Sequence, residues 1–564
     1  MIANLPPGLI LLIGAVIVPF LRGRLRGGFM LLLPLLGIWQ LTQLEPGSFG
    51  AMAIFGFDLV HVRVDKLSLV FGYIFYIAAF VSIIYALHKR DRLEETAALA
   101  YAGAAVGATF AGDLITLFVY WELIAIASTF IVWAGRSPRA YKAGQRYLII
   151  QVTSGAFLAA GAAVRANALG SVAFDNIGLD SPGGFLILIA FGIKAAFPLL
   201  HNWLQDSYPE ASVTGTVFLS AFTTKLAIYA LARGFAGTEE LIWIGVTMTA
   251  FPIFYAVIEN DLRRVLAYSL NNQIGFMVAG IGIGTELALN GAVAQAFAGI
   301  LYKALLFMSM GAVLYRTGTA KGSELGGLYK TMPWTTGFCI VGAASISTFP
   351  LFSGFVTKAM ILTAAAEQGL MVPYLILLFA SAAVFFHSGI KIPFFAFFAH
   401  DSGKRPREAP LNMLIAMGIT VALSIGIGVY PDPLYALLPY PVHYVPYTMS
   451  HVVTTLQLLL FSALAFATLQ RTGLYPPELR STVLDFDWFY RRLFPRAIKD
   501  FDAKVFQPLD KGVRRAALDG LDRLIAVVFR QAGPEGVLAR TSLAGTMAQW
   551  VLVLLSVYLI LYFI

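Results

Sequence analysis

About sixteen apolar stretches, each near the length needed to cross a lipid bilayer, follow one another along this chain with only short polar or Gly/Pro-marked breaks between them. They fall near 8–21, 28–43, 66–87, 95–112, 114–134, 147–164, 184–204, 212–232, 241–258, 265–284, 290–314, 334–366, 371–399, 410–430, 450–470 and 546–564. Of the 564 residues 58% are hydrophobic and 13% charged, and the mean hydropathy is +0.76. Soluble domains carry about a quarter charged residues. A water-soluble globular protein is therefore excluded, and the expected fold is an all-α polytopic membrane protein.

The chain has 40 Lys and Arg against 31 Asp and Glu, a net charge of +9. In a membrane protein such an excess belongs to loops on one face and does not imply nucleic-acid binding. The basic connections are Arg22/Arg24/Arg26, Lys89/Arg90/Arg92, Arg136/Arg139/Lys142/Arg146, Arg263/Arg264, Arg316/Lys321/Lys330, Lys404/Arg405/Arg407 and the tail after Arg471. All fall on one side if the helices alternate, which puts the 471–545 segment on the cytoplasmic face and the N-terminus on the periplasmic side. The connection 431–449 has no Lys or Arg, as the opposite face requires. The run from Leu9 to Phe20 is followed by its arginines, the reverse of a secretory signal, and reads as a retained first helix. Cys339, the single cysteine, can form no internal disulfide and cannot by itself hold a metal or iron–sulfur group. No cofactor and no metal site are expected. Within 471–545, Ile498, Phe501, Val505, Leu509, Val513, Ala517, Leu521, Leu524 and Val528 recur every three or four positions. This predicts an amphipathic helix, interrupted near Pro508 and Gly520, that either lies on the membrane surface or against other helices, or simply tethers the last span.

Five ionisable residues sit well inside apolar runs: Glu122, Lys194, Lys225, Lys303 and Lys358. On insertion scales a charge at the bilayer centre costs about 2.5–3.5 kcal/mol, so each is a candidate functional group. They lie about eight residues or more from the helix ends, roughly 12 Å at 1.5 Å per residue, farther than a lysine stem reaches to the headgroups. One static Glu–Lys pair would merely lock helices together, but four lysines cannot be neutralised by one glutamate. A row of buried lysines suits proton relay, because neighbouring charges decide whether each amine holds its proton. Lys194 precedes Pro198, and Lys358 follows Pro350 and Gly354 in a run too long for one straight helix. Broken helices at matching places in two halves point to inverted-repeat transport machinery.

At these residues the sequence resembles a known family. KAAFPLLHNWLQDSYPEAS (Lys194–Ser212), NDLRRVLAYSLNNQIGF (Asn260–Phe276), Trp121–Glu122, KALLF at Lys303 and FPLFSGFVTK ending at Lys358 are similar to motifs of the antiporter-like subunits. That family is shared by Mrp-type multisubunit sodium/proton antiporters and respiratory complex I. The resemblance implies a core of about fourteen helices with two inverted five-helix repeats and broken helices seven and twelve. The chain then divides into 1–94 (helices one to three), 95–234 and 235–400 (the two repeats), 401–470, the amphipathic 471–545 and a terminal anchor at 546–564. It also implies that Glu122 and Lys194 form an interacting pair and that Lys225, Lys303 and Lys358 continue a hydrated polar axis. His201, His387, Lys391 and Asp261 are secondary candidates, and for His387 alone a satisfied core histidine is the competing reading.

Two features depart from the family pattern. Positions eight and four residues before Lys303, often histidine in the family, are Gln295 and Gly299; neither can titrate, so if protons pass this point, water or Lys303 itself must carry them. The tail is the other departure: SYPEASVTGTVFLSAFTTKLAIYALAR resembles the D type among the Mrp subunits, whereas an amphipathic segment plus a last span resembles the largest antiporter-like subunits. The expected function is that of a D-like proton-translocating subunit of a cation (sodium)/proton antiporter in a bacterial cytoplasmic membrane, assembled with other membrane subunits. The alternatives are a proton-pumping subunit of complex I or a membrane-bound hydrogenase, the membrane subunit of a bicarbonate-accumulating system, and a stand-alone solute carrier. No nucleophile–base set or phosphate loop is present in the motifs, so an enzyme is not expected from this chain by itself, though it could belong to a redox-driven NADH:quinone oxidoreductase-type complex.

Overall fold

The computed structural model describes residues 5–54, 56–475, 478–479, 483, 485–533, 536 and 544–563. Its helices are α1 Leu9–Ile17, α2 Gly23–Thr42, α3 Lys66–Ala86, α4 Arg92–Thr109, α5 Leu114–Trp133, α6 Pro138–Leu169, α7 Gly184–Ala195 and α8 Asn202–Ser207. They continue with α9 Gly215–Ala221, α10 Thr223–Gly234, α11 Glu240–Ile258, α12 Leu262–Ile283, α13 Glu286–Thr317, α14 Pro333–Ile346, α15 Ser353–Glu367, α16 Met371–Val384 and α17 Lys391–Pro393. The last are α18 Leu411–Val429, α19 Asp432–Leu437, α20 Met449–Thr472, α21 Phe494–Phe501, α22 Gln507–Ala532 and α23 Ala544–Phe563. Each apolar run of the sequence contains helix, and among the described residues eleven helices are individually long and apolar enough to cross a membrane.

Among the described residues a single hairpin interrupts the helical pattern. Strands β1 Gly47–Ile54 and β2 Phe57–Val64 pair antiparallel between α2 and α3, in a stretch to which the helical periodicity assigns no element. Val62 and Val64 are buried and alternate with the half-buried His61 and Arg63, the period of two that a strand with one covered face shows.

Local signals set the helix starts. Asp65 closes a capping box with Ser68 at the head of α3, its carboxylate accepting from the Ser68 N–H at 2.9 Å while the Ser68 hydroxyl accepts from the Asp65 N–H. Asp113 caps α5, Ser137 with Pro138 opens α6, and the Asp261 carboxylate accepts from the N–H groups of Arg263 and Arg264 at the head of α12. Glycine sets how closely α11 and α12 approach: a Cβ on Gly275 would press on the Gly245 carbonyl and the Thr249 N–H at 2.7 Å. Helix α13 lies in the interior, packed against α9, α12, α14, α15 and α18.

The two broken helices share one construction. At the first break Ala196-Phe197-Pro198-Leu199 follows α7, and at the second Thr348-Phe349-Pro350-Leu351 separates α14 from α15. In both, the residue before Phe and the Leu after Pro have positive φ: 62° and 70° at Ala196 and Leu199, 61° and 75° at Thr348 and Leu351. Non-glycine residues in that region cost on the order of 1–3 kcal/mol each and persist only where the surroundings enforce them. Gly354 lies so near the Ser345 carbonyl that any side chain would overlap it, and the Ser345 and Ser353 hydroxyls meet at 2.8 Å across the gap.

Further irregularities lie beyond what the sequence indicated. Phe222 separates α9 from α10, and the helix carrying α16 and α17 is widened into π-helix at Phe385–Ile390 and Phe394–Phe398. By compact contacts the chain divides into Met1–Asp485 and Phe486–Ile564. Within the second unit α21 and α22 are joined by a π-helical turn at Asp502–Phe506, Pro508 sits in the first turn of α22, and α22 runs through Gly520 without a break.

Candidate functional site

Five buried cationic side chains and one half-buried acid are distributed over α5, α7, α10, α13, α15 and α17. Lys194, Lys225, Lys303 and Lys358 are each at most 1% exposed. Two of them are not in mid-helix: Lys194 is the penultimate residue of α7, and Lys225 is the third of α10, just after the Phe222 break.

In the first half of the site the Trp121 indole donates to the Ser154 hydroxyl at 2.9 Å, which donates to the Ala190 carbonyl at 2.7 Å, tying α5, α6 and α7 together. The Lys194 ammonium donates to the Trp121 carbonyl at 2.7 Å and stands 4.6 Å from the centre of the Trp121 ring. Glu122 is the next residue, and it and Lys194 are each other's electrostatic neighbour, yet no ion pair joins them among the described residues. Glu122 Oε1 has no hydrogen-bond partner among those residues and lies over Gly155 of α6. The Asn271 amide donates to the Ala196 carbonyl at 3.2 Å, holding α12 to the first break.

Lysine ammonium groups also meet the carbonyl ends of helices, where unpaired C=O groups and the helix dipole favour a cation. Lys225 Nζ donates to the Ser220 carbonyl in the last turn of α9 at 2.7 Å. Lys358 Nζ donates to the Ile346 carbonyl that ends α14 at 3.1 Å, with the Phe276 ring 4.9 Å away. Lys391 Nζ donates to the carbonyls of Val257 and Glu259, both at 2.6 Å, at the end of α11, and pairs with Glu478 at 2.9 Å.

Lys303 differs, donating to the Ser269 hydroxyl at 2.6 Å. Its electrostatic neighbours are Lys225 and Lys358. At position 295, Gln295 joins a fully buried amide and hydroxyl cluster: its amide donates to Gln273 Oε1 at 3.0 Å and to the Tyr302 hydroxyl at 2.7 Å, and its carbonyl oxygen accepts from Thr357 at 2.6 Å. The Tyr302 hydroxyl lies 3.4 Å from where a Cβ on Gly299 would stand. Tyrosine and amide groups thus fill this stretch between α12, α13 and α15.

His201 turns away from the lysines: its Nε2 pairs with Asp485 at 2.9 Å, and the Tyr268 hydroxyl donates to the same carboxylate oxygen at 3.0 Å. His387 is fully buried, with Nδ1 2.9 Å from the Ser388 hydroxyl and Nε2 without a partner among the described residues, so its ring is only half satisfied. Asp261 is engaged as the cap of α12. Among the described residues no three His, Cys, Asp or Glu side chains gather as a metal site requires. Sequence reasoning did not find Ser269, Gln273, Tyr302, Thr357 or Ser388. Their signal was present in part, as a run of Ser, Asn and Gln within an otherwise apolar helix at 269–273.

The sequence family described as NADH:quinone oxidoreductase/Mrp antiporter, TM, matches residues 111–386, which contain both broken helices and the four lysines from Lys194 to Lys358. The D-type subunit of the Na(+)/H(+) antiporter of Alkalihalophilus pseudofirmus is 30% identical over 357 residues, 58% of this chain and 71% of that protein. The chain belongs to this family. The fold agrees: a chain of the Mrp complex from Dietzia sp. superposes with a TM-score of 0.78 at 22% identity, over 92% of this chain and 62% of that one. A chain of the membrane-bound sulfane sulfur reductase, an archaeal respiratory membrane complex, gives 0.72 at 21% identity, over 99% of this chain and all of that one. This member is a polytopic membrane subunit of the Mrp or complex I type, with an antiporter-like core of about fourteen helices, broken helices seven (α7/α8) and twelve (α14/α15), and additional helices after it.

Proposed function

We propose that the chain is a D-like, proton-translocating subunit of a multisubunit cation (sodium)/proton antiporter in a bacterial cytoplasmic membrane, working with other membrane subunits. The observation that carries this is Lys303, buried with a hydroxyl as its only hydrogen-bond partner among the described residues and with Lys225 and Lys358 as its electrostatic neighbours. Lys303 lies in the field of both Lys225 and Lys358, so a proton gained at either neighbour favours loss of one at Lys303. Glu122 and Lys194 would start the sequence, the carboxylate drawing the ammonium away from the Trp121 carbonyl. Each elementary charge moved across 100 mV is worth about 2.3 kcal/mol, on the scale of a charge-assisted hydrogen bond made or lost. The curated relative is named as an Na(+)/H(+) antiporter subunit, which supports sodium as the exchanged cation.

The test is cation-dependent pH change in everted membrane vesicles. Glu122→Gln and Lys194→Ala should each abolish it while the subunit still inserts and assembles, and normal activity in either variant would sink the reading.

One observation favours a second reading, a proton carrier within a redox-driven complex: the fold of the archaeal respiratory chain covers this chain almost end to end, tail included. Purification in mild detergent separates the two. Iron–sulfur subunits in the purified complex would support the respiratory reading, and small hydrophobic antiporter subunits the first.

A further inference from the structure

The segment that leaves α20 turns back onto the membrane core. Tyr475 packs among Phe386, Phe395 and Phe466, with ring centres 5.8, 5.9 and 5.2 Å away. Three residues later Glu478 reaches Lys391, the two side chains being 7% and 0% exposed. Glu478 lies beside Gly322, in the loop that follows Arg316, where a Cβ would stand 3.5 Å from its Oε2. The groups that face Glu478 are Lys391, Glu259 and Tyr475. Burial raises its carboxyl above the ordinary carboxylate range, and Lys391 opposes that rise.

From Lys391 inward, amphoteric groups follow one another. His387 lies four residues before Lys391 on the same π-widened helix, and its electrostatic neighbours are Lys303, Lys391 and Lys358. Its Nδ1 is 2.9 Å from the Ser388 hydroxyl, which donates to the Ser269 hydroxyl at 2.6 Å, and Lys303 Nζ stands 2.6 Å from that same oxygen. A lock between tail and core would need only the Glu478–Lys391 pair. It would not need a buried imidazole with one open nitrogen, nor two serine hydroxyls leading on to Lys303. His387, Ser388, Lys391 and Glu478 all fall outside the residues that match the family.

We propose that Glu478 is the outermost acid of a proton inlet that runs through Lys391, His387, Ser388 and Ser269 to Lys303. The proposal rests on the proton-carrier reading above. In one passage the O–H bond of the Glu478 carboxyl breaks as an N–H forms on the neutral Lys391 amine. The resulting ammonium and His387 Nε2 share no hydrogen bond, so a water or a swing of the Lys391 side chain bridges them and delivers a proton to Nε2, and the imidazolium releases its Nδ1 proton to Ser388. Ser388 passes its own hydroxyl proton to Ser269, and Ser269 passes its own to the Lys303 amine. The hydroxyls then rotate back, the His387 ring turns over to restore the proton on Nδ1, and the Glu478 carboxylate, whose oxygens are covered at rest, takes the next proton when its side chain meets water.

The complete complex in everted vesicles tests this, with subunit content checked by immunoblot and wild-type vesicles treated identically as the control. Glu478→Gln keeps size and polarity but cannot carry a proton, and should lower the cation-dependent proton flux roughly 100-fold, near the lower end of what a positioned proton-transfer group contributes. Glu478→Asp should recover part of the flux. In Glu478→Ala vesicles, formate or azide, small weak acids able to replace the missing carboxyl, should restore it. A full rate in Glu478→Gln overturns the inlet. A loss in Glu478→Ala that neither acid relieves also overturns it, showing a lock and not a relay. Glu122→Gln vesicles, measured alongside, separate this from the wider reading: if they match wild type, the proton-carrier function itself fails, whatever Glu478 does.

Discussion

Gly155 of α6 lies directly beneath the Glu122 carboxylate of α5, so close that a methyl group on it would overlap Oε1. The space that holds this acid is therefore created by a glycine one helix away. Gly155→Ala should displace the carboxylate without unfolding the protein, since the group in the way is the far end of a flexible side chain. Flux in everted vesicles should fall by on the order of 100-fold, the scale that about 1 Å of misplacement can cost a reacting group. A rate within twofold of wild type at normal protein level would show that the position of Glu122 does not matter.

Gln295 bonds Gln273, Tyr302 and Thr357 in a cluster with no exposed member. Gln295→His should lose at least one of these bonds, about 1 kcal/mol of stability, and add a group that titrates near neutrality. The flux should acquire a pH dependence that the wild type lacks. An unchanged profile would mean that protons do not pass this point.

Asp65, outside the helix it caps, accepts from Arg233 at 2.9 Å and lies 3.3 Å from Arg63. Burial raises its pKa, but the two arginines and the Ser68 N–H outweigh that and hold it below the ordinary value of 3.8. A lowered carboxyl contributes stability above its unfolded pKa, and the contribution is lost as pH falls through the folded value. Thermal unfolding of the detergent-solubilised protein should therefore lose a component below about pH 4 that Asp65→Asn lacks. Parallel curves for the two proteins would remove Asp65 from the account.

Two truncations separate the parts of the tail. Ending the chain after Asp485 leaves Glu478 on Lys391 and Asp485 on His201, and the core should keep its thermal stability. Ending it after Gly473 removes both carboxylates and leaves Lys391 buried without its partner, a loss of about 3–5 kcal/mol. Equal melting temperatures for the two would show that the carboxylates brace nothing.

What the sequence revealed follows from range. Membrane helices declare themselves by length and hydropathy, so the helices were legible one by one, and Phe-Pro-Leu marked both breaks. The hairpin at 47–64 was not, because its alternation is short and broken by Gly50 and Gly56. The burial of Lys194, Lys225, Lys303 and Lys358 could be read from their apolar surroundings. Their partners could not: the Trp121 and Ile346 carbonyls are backbone atoms brought close by tertiary packing, and Glu478 lies 87 positions from Lys391. The π-helical turn at His387 has no local signature, and Asp261, among the site candidates, carries instead the sequence signal of a helix cap.

Lys225 and Lys358 rest on the ends of interrupted helices, so on the proposed reading proton occupancy and backbone position there would be coupled. An ammonium bonds a carbonyl more strongly than a neutral amine does, by about 1 kcal/mol, so each departing proton loosens a helix end. By reciprocity, a partner that tugs on α9 or α14 shifts the occupancy of the lysine seated there. If these lysines carry protons as proposed, the interruptions would act as clasps between charge and shape, through which a push from elsewhere in an assembly would be felt at an amine it never touches.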